Sequence, residues 1–307
     1  VSKVVFLLVH GVHLLDLAGP AQVFFSATEF GIDYRLSYVA EHDQVDSAQG
    51  VSLRTDTELP DLSTEDLVLV PGWSAPTLSS TGAVSTAALA WLRAHHEAGG
   101  TVASVCAGAD VLGRAGLLDG RRCTTHHDVQ DELAHRYPRA KVIPDVLYVV
   151  DDRVVTSAGI ASGIDLALHM VATRHGPTIA AQIARTMVVY TRRNGDDRQT
   201  SVLLRHRSHV NETVHRIQDI IESRVAERLS LAELARLTGC SQRTVTRLFD
   251  RATGMTPLRY QQALRLERAE HLIGHGATMD TAARSVGFED ARMLRRLRAA
   301  AVPADHP

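Results

Sequence analysis

Cysteine is scarce, with three residues at 106, 123 and 240. An odd, scattered set builds neither a disulfide framework nor a zinc site, so a reducing cytoplasm is the expected compartment. Apolar runs long enough to span a bilayer are missing. The opening run Val1-Ser-Lys-Val-Val-Phe-Leu-Leu-Val9 is of strand length, and neither a signal peptide nor a membrane partner is expected. Low-complexity tracts are absent too. Net charge is small, at -2, but it hides a split. Residues 1–195 hold 15 Lys+Arg against 21 Asp+Glu, or -6, and residues 196–307 hold 18 against 14, or +4. An acidic front and a basic back fit a ligand or dimer domain joined to a nucleic-acid module. Almost every base in the back half is Arg, the better residue for bidentate recognition. At 307 residues, 45% of them hydrophobic, the chain is long enough for two domains, each with its own core.

What is present is most informative near the end. Ser230 is a candidate N-cap, and Glu233 three residues on completes a capping box. Leu231, Leu234, Ala235 and Leu237 give a short helix its apolar face, and Gly239 stands where a left-handed C-cap residue is wanted. Ser241 caps a second helix whose Val245, Leu248 and Phe249 point inward. Its outer face carries Arg243, Thr246, Arg247 and Asp250, with Gln242 and Thr244 at the entrance. This is the pattern of a helix-turn-helix, although a helical hairpin with a solvated basic face fits these residues equally well. Arg can grip guanine in the major groove, and Thr or Gln can read neighbouring base edges.

The pattern then recurs. A long amphipathic helix with Leu264, Leu266, Ala269, Leu272 and Ile273 leads to Met279-Asp-Thr-Ala-Ala-Arg-Ser-Val-Gly-Phe288. A further helix bears Arg292, Arg295, Arg296 and Arg298. Leu248-Phe-x-x-x-Thr-Gly-x-Thr-Pro257, Arg265-Leu-x-x-Ala269 and Ala283-x-x-Val-Gly-Phe288 resemble the AraC/XylS family of bacterial transcription regulators over roughly residues 212–300. That resemblance implies double-stranded DNA as a partner, with RNA polymerase as a further one. Gln242, Arg243, Thr244, Thr246, Arg247, Arg292, Arg295 and Arg296 become the expected DNA-reading residues. The end of the chain departs from the family, because Leu297–Pro307 lacks its closing Phe and Tyr-Arg.

The front half alternates strands and helices, which predicts a doubly wound α/β sheet. Strands are expected at Val4–Val9, Tyr34–Ala40, Asp66–Val70 and Thr101–Val105, and helices at Leu14–Phe30, Thr86–Glu97 and Ala109–Ala115. Val146–Val150 and Val154–Thr156 read as a hairpin, and Ile160–Thr173 and Thr178–Val189 as apolar helices over the sheet. The stripes of those two helices motivate a homodimer. Domains are expected at 1–192 and 212–307, with a polar linker at 193–211.

Cys106 follows a strand and precedes Ala107-Gly-Ala109, a turn that exposes a side chain at the carboxyl edge of a sheet. The helix start beside it would lower the thiol pKa, while a buried inert cysteine fits the same residues. Asp16-Leu-Ala-Gly-Pro20, Val70-Pro-Gly-Trp73, Cys106-Ala-Gly, Thr124-Thr-His126, Thr156-Ser-Ala-Gly159 and Gly163-Ile-Asp165 occur in order. The set resembles the ThiJ/PfpI superfamily, glutamine amidotransferase-like relatives of isocyanide hydratases. The whole chain is similar to GlxA-type regulators, which fuse such a domain to an AraC-type reader.

That resemblance implies a flavodoxin-like sheet with Cys106 at a nucleophile elbow and Asp16 as the acid beside it. The amides of Gly72 and Ala107 would form a nest, and His126 would stand near the cysteine, with His127 adjoining it. Asp16, Gly72, Cys106, Ala107 and His126 are the expected ligand-binding set; no cofactor and no metal are expected. Fusion to a DNA reader favours a sensor of a small metabolite over an enzyme. The alternative is a cysteine-dependent hydrolase or hydratase of a small nitrogen compound using Cys106, Asp16 and His126. A redox switch at Cys106 is a third reading, and Asp165 is a candidate to orient a histidine.

Overall fold

In the computed structural model the chain divides into two compact units, 1–199 and 200–307. The structure describes residues 2–74, 77–78, 84–189, 193–197, 199, 201–202, 206–207, 209–274 and 276–301. The end of the departing C-terminal stretch, 302–307, lies outside them. Among the described residues no helix is long and apolar enough to cross a membrane.

The first unit opens with β1 (Ser2–Leu7), α1 (Leu14–Thr28), β2 (Tyr34–Val39) and a small antiparallel pair, β3 (Gln44–Asp46) and β4 (Ser52–Arg54). It continues through β5 (Leu67–Val70), α2 (Thr86–Glu97), β6 (Thr101–Val105) and α3 (Ala109–Arg114). Then come β7 (Arg122–Cys123), α4 (Gln130–Arg136), β8 (Lys141–Val142), β9 (Tyr148–Asp151), β10 (Val154–Ser157), α5 (Ser162–His175) and α6 (Pro177–Thr186). The main sheet runs β2-β1-β5-β6-β10-β9, parallel except for β9, which pairs antiparallel with β10 as the expected hairpin.

Strand side chains alternate faces, and the two cores divide accordingly. Val4, Phe6 and Leu69 face α1, α5 and α6, while Val5, Leu7, Val68 and Val70 join Leu92, Leu112 and Leu133 on the other side. Leu166, Leu168, Val171, Ala180 and Ile183 are all spent in the first core. The stripes on which the dimer expectation rested are therefore sheet cover, and the large apolar side chains left outside on this unit include Leu15 and Phe25 of α1. The chain leaves β1 in one direction across the sheet and reaches β5 in the other. The crevice between their carboxyl ends is the switch point at which such sheets bind ligands.

The boundary between units lies later than the sequence indicated. Tyr148 donates to the Gly195 carbonyl and Leu147 to that of Asp197. Gln199 is buried, accepting from the His127 amide and donating to the carbonyls of Thr125 and Val146. Residues 193–199, assigned to a linker because they are polar, thus belong to the α/β unit. On the far side, Arg207 pairs with Asp219 and Glu222 of the helical unit.

The second unit is all helix: α7 (Glu212–Ser223), α8 (Leu231–Thr238), α9 (Gln242–Thr253), α10 (Pro257–Gly274), α11 (Met279–Ser285) and α12 (Ala291–Ala301). Ser230 caps α8 and Ser241 caps α9, each accepting from the amide three residues on at 3.1 Å, and Gly239 ends α8 in the left-handed region. Two details differ from expectation. The Glu233 carboxylate turns to Arg224 at 2.8 Å, so its half of the capping box is not made. Leu237 is exposed, and Thr238 takes the inward position by donating its hydroxyl back to the Leu234 carbonyl. Val245, Phe249, Tyr260 and Leu264 form one core, and Ala269, Ala282, Val286 and Leu294 another, with α10 running through both.

Candidate functional site

Three strand ends build the crevice. α1 after β1 brings Asp16, the turn after β5 brings Gly72, and the turn after β6 brings Cys106. Cys106 has φ of +55°, a left-handed backbone that side chains rarely adopt. This is the strained strand-to-helix turn of a nucleophile elbow. The space around it admits only glycine. A Cβ on Gly72 would lie 2.5 Å from Asp16 Oδ2 and 2.7 Å from Cys106 Cβ. One on Gly159 would lie 2.5 Å from Cys106 Cβ and 3.0 Å from its Sγ. The Pro-Gly after β5 and the Ala-Gly after β10 are therefore spacers for the same side chain.

Asp16 is fully buried. Its Oδ1 accepts from the Ile160 amide at 2.6 Å, and its Oδ2 has no nitrogen or oxygen partner and stands against the Cys106 thiol. Burial pushes its pKa up, opposed by the Ile160 amide, the charge on His13, the Gly72 amide and the thiol. Burial likewise raises the Cys106 thiol, to about 12, with the charge of Asp16 next in weight and the Ala107 amide pulling the other way. The helix start was expected to lower this pKa. The helix that follows is only six residues long, and desolvation beside a carboxyl outweighs its dipole. The pair is a neutral thiol beside an acid that holds its proton more tightly than usual.

The Gly72 amide lowers the Asp16 pKa and the Ala107 amide that of Cys106. His126 is placed differently. No hydrogen bond joins it to Cys106 among the described residues; its Nδ1 accepts from the Asp128 amide at 3.4 Å and lies 3.4 Å from Asp128 Oδ2. The residue that reaches the cysteine from this segment is Thr125, whose hydroxyl donates to the Cys106 carbonyl at 2.7 Å. Asp165 bonds to no histidine among the described residues either. It is buried and clamped by Arg193, whose backbone amide, Nε and Nη2 donate to it at 3.0, 2.9 and 2.7 Å. Sequence reasoning missed Ile160 as a donor, because a backbone amide leaves no signature in side-chain pattern. The Thr-Ser-Ala-Gly stretch before it was the available signal.

In the helical unit Gln242, Arg243, Arg247, Arg292, Arg295 and Arg296 are exposed and Thr244 and Thr246 half-buried. The two threonine hydroxyls are engaged locally, with Ser241 Oγ and the Gln242 carbonyl. Arg265 does not face outward. It donates to the carbonyls of Val225 and Glu227 at 2.7 Å and of Gly287 at 2.9 Å. It thereby ties α10 to the segments before α8 and after α11, and its guanidinium lies over the Phe288 ring.

Residues 2–173 match the model of the DJ-1/PfpI family and residues 234–301 that of a helix-turn-helix domain. The HTH-type transcriptional regulator CdhR of Pseudomonas aeruginosa is 30% identical over 270 residues, covering 87% of this chain and 79% of CdhR. Isonitrile hydratase of Pseudomonas putida is 33% identical over 168 residues, 54% of this chain and 68% of that enzyme. A ThiJ/PfpI family protein from Pseudomonas syringae superposes with a TM-score of 0.53 at 26% identity, covering 77% of this chain and 88% of its own. CdhR is matched across both units, the hydratase only across part of the chain. The chain belongs to the DJ-1/PfpI family, as a member whose α/β domain is fused to the helix-turn-helix domain of AraC-family transcriptional regulators.

Proposed function

We propose that the protein is a cytoplasmic, sequence-specific DNA-binding regulator whose α/β unit senses a small metabolite without turning it over. The observation that carries this reading is the likeness to CdhR, which runs through both units. The two outward faces of α9 and α12 enter successive major grooves about 34 Å apart along the duplex. Arg243 and Arg247 read base edges on the first, and Arg292, Arg295 and Arg296 serve the second. Retention of discrete genomic fragments by the purified chain tests the reading, and failure to retain any fragment at low salt would sink it.

The effector sits against Asp16, Cys106 and the Gly72 and Ala107 amides, with His126 at its edge. The thiol and the two amides are donors, so the site suits a small molecule that presents acceptors. The protein acts as a homodimer, which lets four readers span one long operator. Leu15 and Phe25 of α1, 44% and 54% exposed, offer the apolar surface for it. Sedimentation of the full chain at micromolar concentration decides this point, since a strict monomer removes it.

The likeness to isonitrile hydratase keeps a second reading in view, in which Cys106 attacks an electrophilic carbon with help from Asp16. The alkylation rate of Cys106 against pH separates the two. A sensor thiol reacts ever faster past the free-cysteine pKa of about 8.5 without levelling off, whereas a nucleophile shows its inflection below that value.

A further inference from the structure

The turn after Thr125 gathers three side chains, of which the effector reading uses only His126, and that only at its edge. His126, His127 and Asp128 offer one imidazole nitrogen each and a carboxylate oxygen, all within 4.8 Å of one another. Consecutive residues seldom converge, and here the backbone makes them do so. His126 is the extended residue that starts the 3₁₀ turn His127–Val129, so its ring folds back over the turn and lies 4.1 Å from the ring of His127. The Asp128 carboxylate spans the two, with 3.4 Å to His126 Nδ1 and 3.3 Å to His127 Nε2.

Those separations are long for charge-assisted hydrogen bonds, which run at about 2.7–2.9 Å. They run to the two different carboxylate oxygens, Oδ2 and Oδ1, and each is near the edge of a coordination tetrahedron, about 3.3 Å, that follows from metal–ligand bonds of about 2.0–2.1 Å. The backbone of the turn is also fixed from behind. Buried Gln199 accepts from the His127 amide at 2.9 Å and donates to the Thr125 carbonyl. Buried Gln130 donates to that same carbonyl at 3.1 Å. The ligand atoms therefore stand on a braced support and need little reorganisation to close on an ion.

We propose that His126, His127 and Asp128 form a binding site for one divalent transition-metal ion of the zinc, copper(II) or nickel type. Two imidazoles and one carboxylate suit such borderline ions better than magnesium or calcium, which prefer all-oxygen sets. Three protein ligands leave at least one position open to water or a small donor molecule, unlike the closed four-ligand set of structural zinc. Side-chain exposures of 27%, 45% and 73% for His126, His127 and Asp128 leave that position facing solvent. Thr125, next in the chain, holds the Cys106 carbonyl, so an ion here would stiffen the wall of the effector crevice. The site goes beyond the effector reading and stands or falls without it, because metal loading is measured with no effector present.

Titration of the tag-free full chain with copper(II), read by electron paramagnetic resonance, tests it. One equivalent should bind tightly, with hyperfine coupling to two imidazole nitrogens. His127→Ala should leave one coupled nitrogen and weaken binding at least tenfold. Asp128→Asn, at an exposed position and nearly isosteric, should weaken binding with both nitrogens retained, and it serves if His127→Ala disturbs the turn. His42→Ala, outside the cluster, should bind as the wild type does, and unchanged thermal melts of the metal-free variants certify their folds. A wild type lacking the two-nitrogen signature overturns the proposal, as do His127→Ala and Asp128→Asn proteins that both bind like wild type.

Discussion

Asp16 and Cys106 share one dry corner, where the acid makes the thiol harder to ionise while the thiol's hydrogen bond eases the acid. Burial raises both groups, and the opposing amides of Ile160, Gly72 and Ala107 do not make up the difference. For Asp16 this has a consequence in stability against pH. Its pKa is higher in the folded state than the ordinary 3.8, so the folded chain holds a proton that the unfolded chain releases. The stability tied to that proton is fully present below the unfolded value and is lost as pH rises through the folded one. Asp16→Asn cannot ionise and keeps an oxygen for the Ile160 amide. The variant should be more stable than wild type at neutral pH and above, with the gap closing as pH falls toward 4. The gap should change by no more than about 1.4 kcal/mol per pH unit. Melts across that range check it, and a gap that stays constant with pH would show that Asp16 titrates normally.

Among the elements, those with strong periodicity were legible in the sequence and those fixed by long-range polar contacts were not. Thr86–Glu97 and Thr101–Val105 fall where apolar pattern and Gly99-Gly100 put them. The turn holding Cys106 was also legible, because Ala107 and Gly108 are small where β5 passes close by. The stretch 193–199 was not. Its polar composition reads as linker, yet Arg193 and Gln199 spend their polar groups on Asp165, Thr125 and Val146 inside the α/β unit. Leu237 was misplaced because the apolar spacing of α8 does not show that Thr238 satisfies its own hydroxyl within the helix. Arg265 belongs at this scale, since it joins three backbone carbonyls from two helix-turn-helix units. Arg265→Ala would leave those carbonyls short of a charged donor, and the helical unit should lose about 2–4 kcal/mol. Chemical denaturation of the variant measures it, and a loss under about 0.5 kcal/mol would show that water replaces the guanidinium without penalty. The readers on α9 behave otherwise. Arg243→Ala or Arg247→Ala should keep stability and cost about 1–3 kcal/mol of specific DNA binding. Equal losses on random DNA would reduce both to phosphate contacts.

At the scale of the whole molecule, an acidic α/β unit with a crevice at Asp16 and Cys106 is joined to a basic helix-turn-helix unit that, on the proposed function, carries two readers. Fusion has a regulatory purpose only if the occupant of the crevice changes what the readers hold, and a ligand can do so only by binding two states of the protein unequally. A coupling of about 1–3 kcal/mol, the usual range, would change DNA affinity about 5- to 150-fold. The direct measurement is retention of genomic DNA fragments by the full chain at fixed salt, with and without a small-molecule extract of cells, for wild type and Cys106→Ser. The wild type should hold a discrete set of fragments whose affinity shifts with the extract, and Cys106→Ser should hold the same set with the shift altered or lost. Fragment binding that is indifferent to every extract, in the wild type as in the variant, would contradict the account and leave the α/β unit without a sensing role.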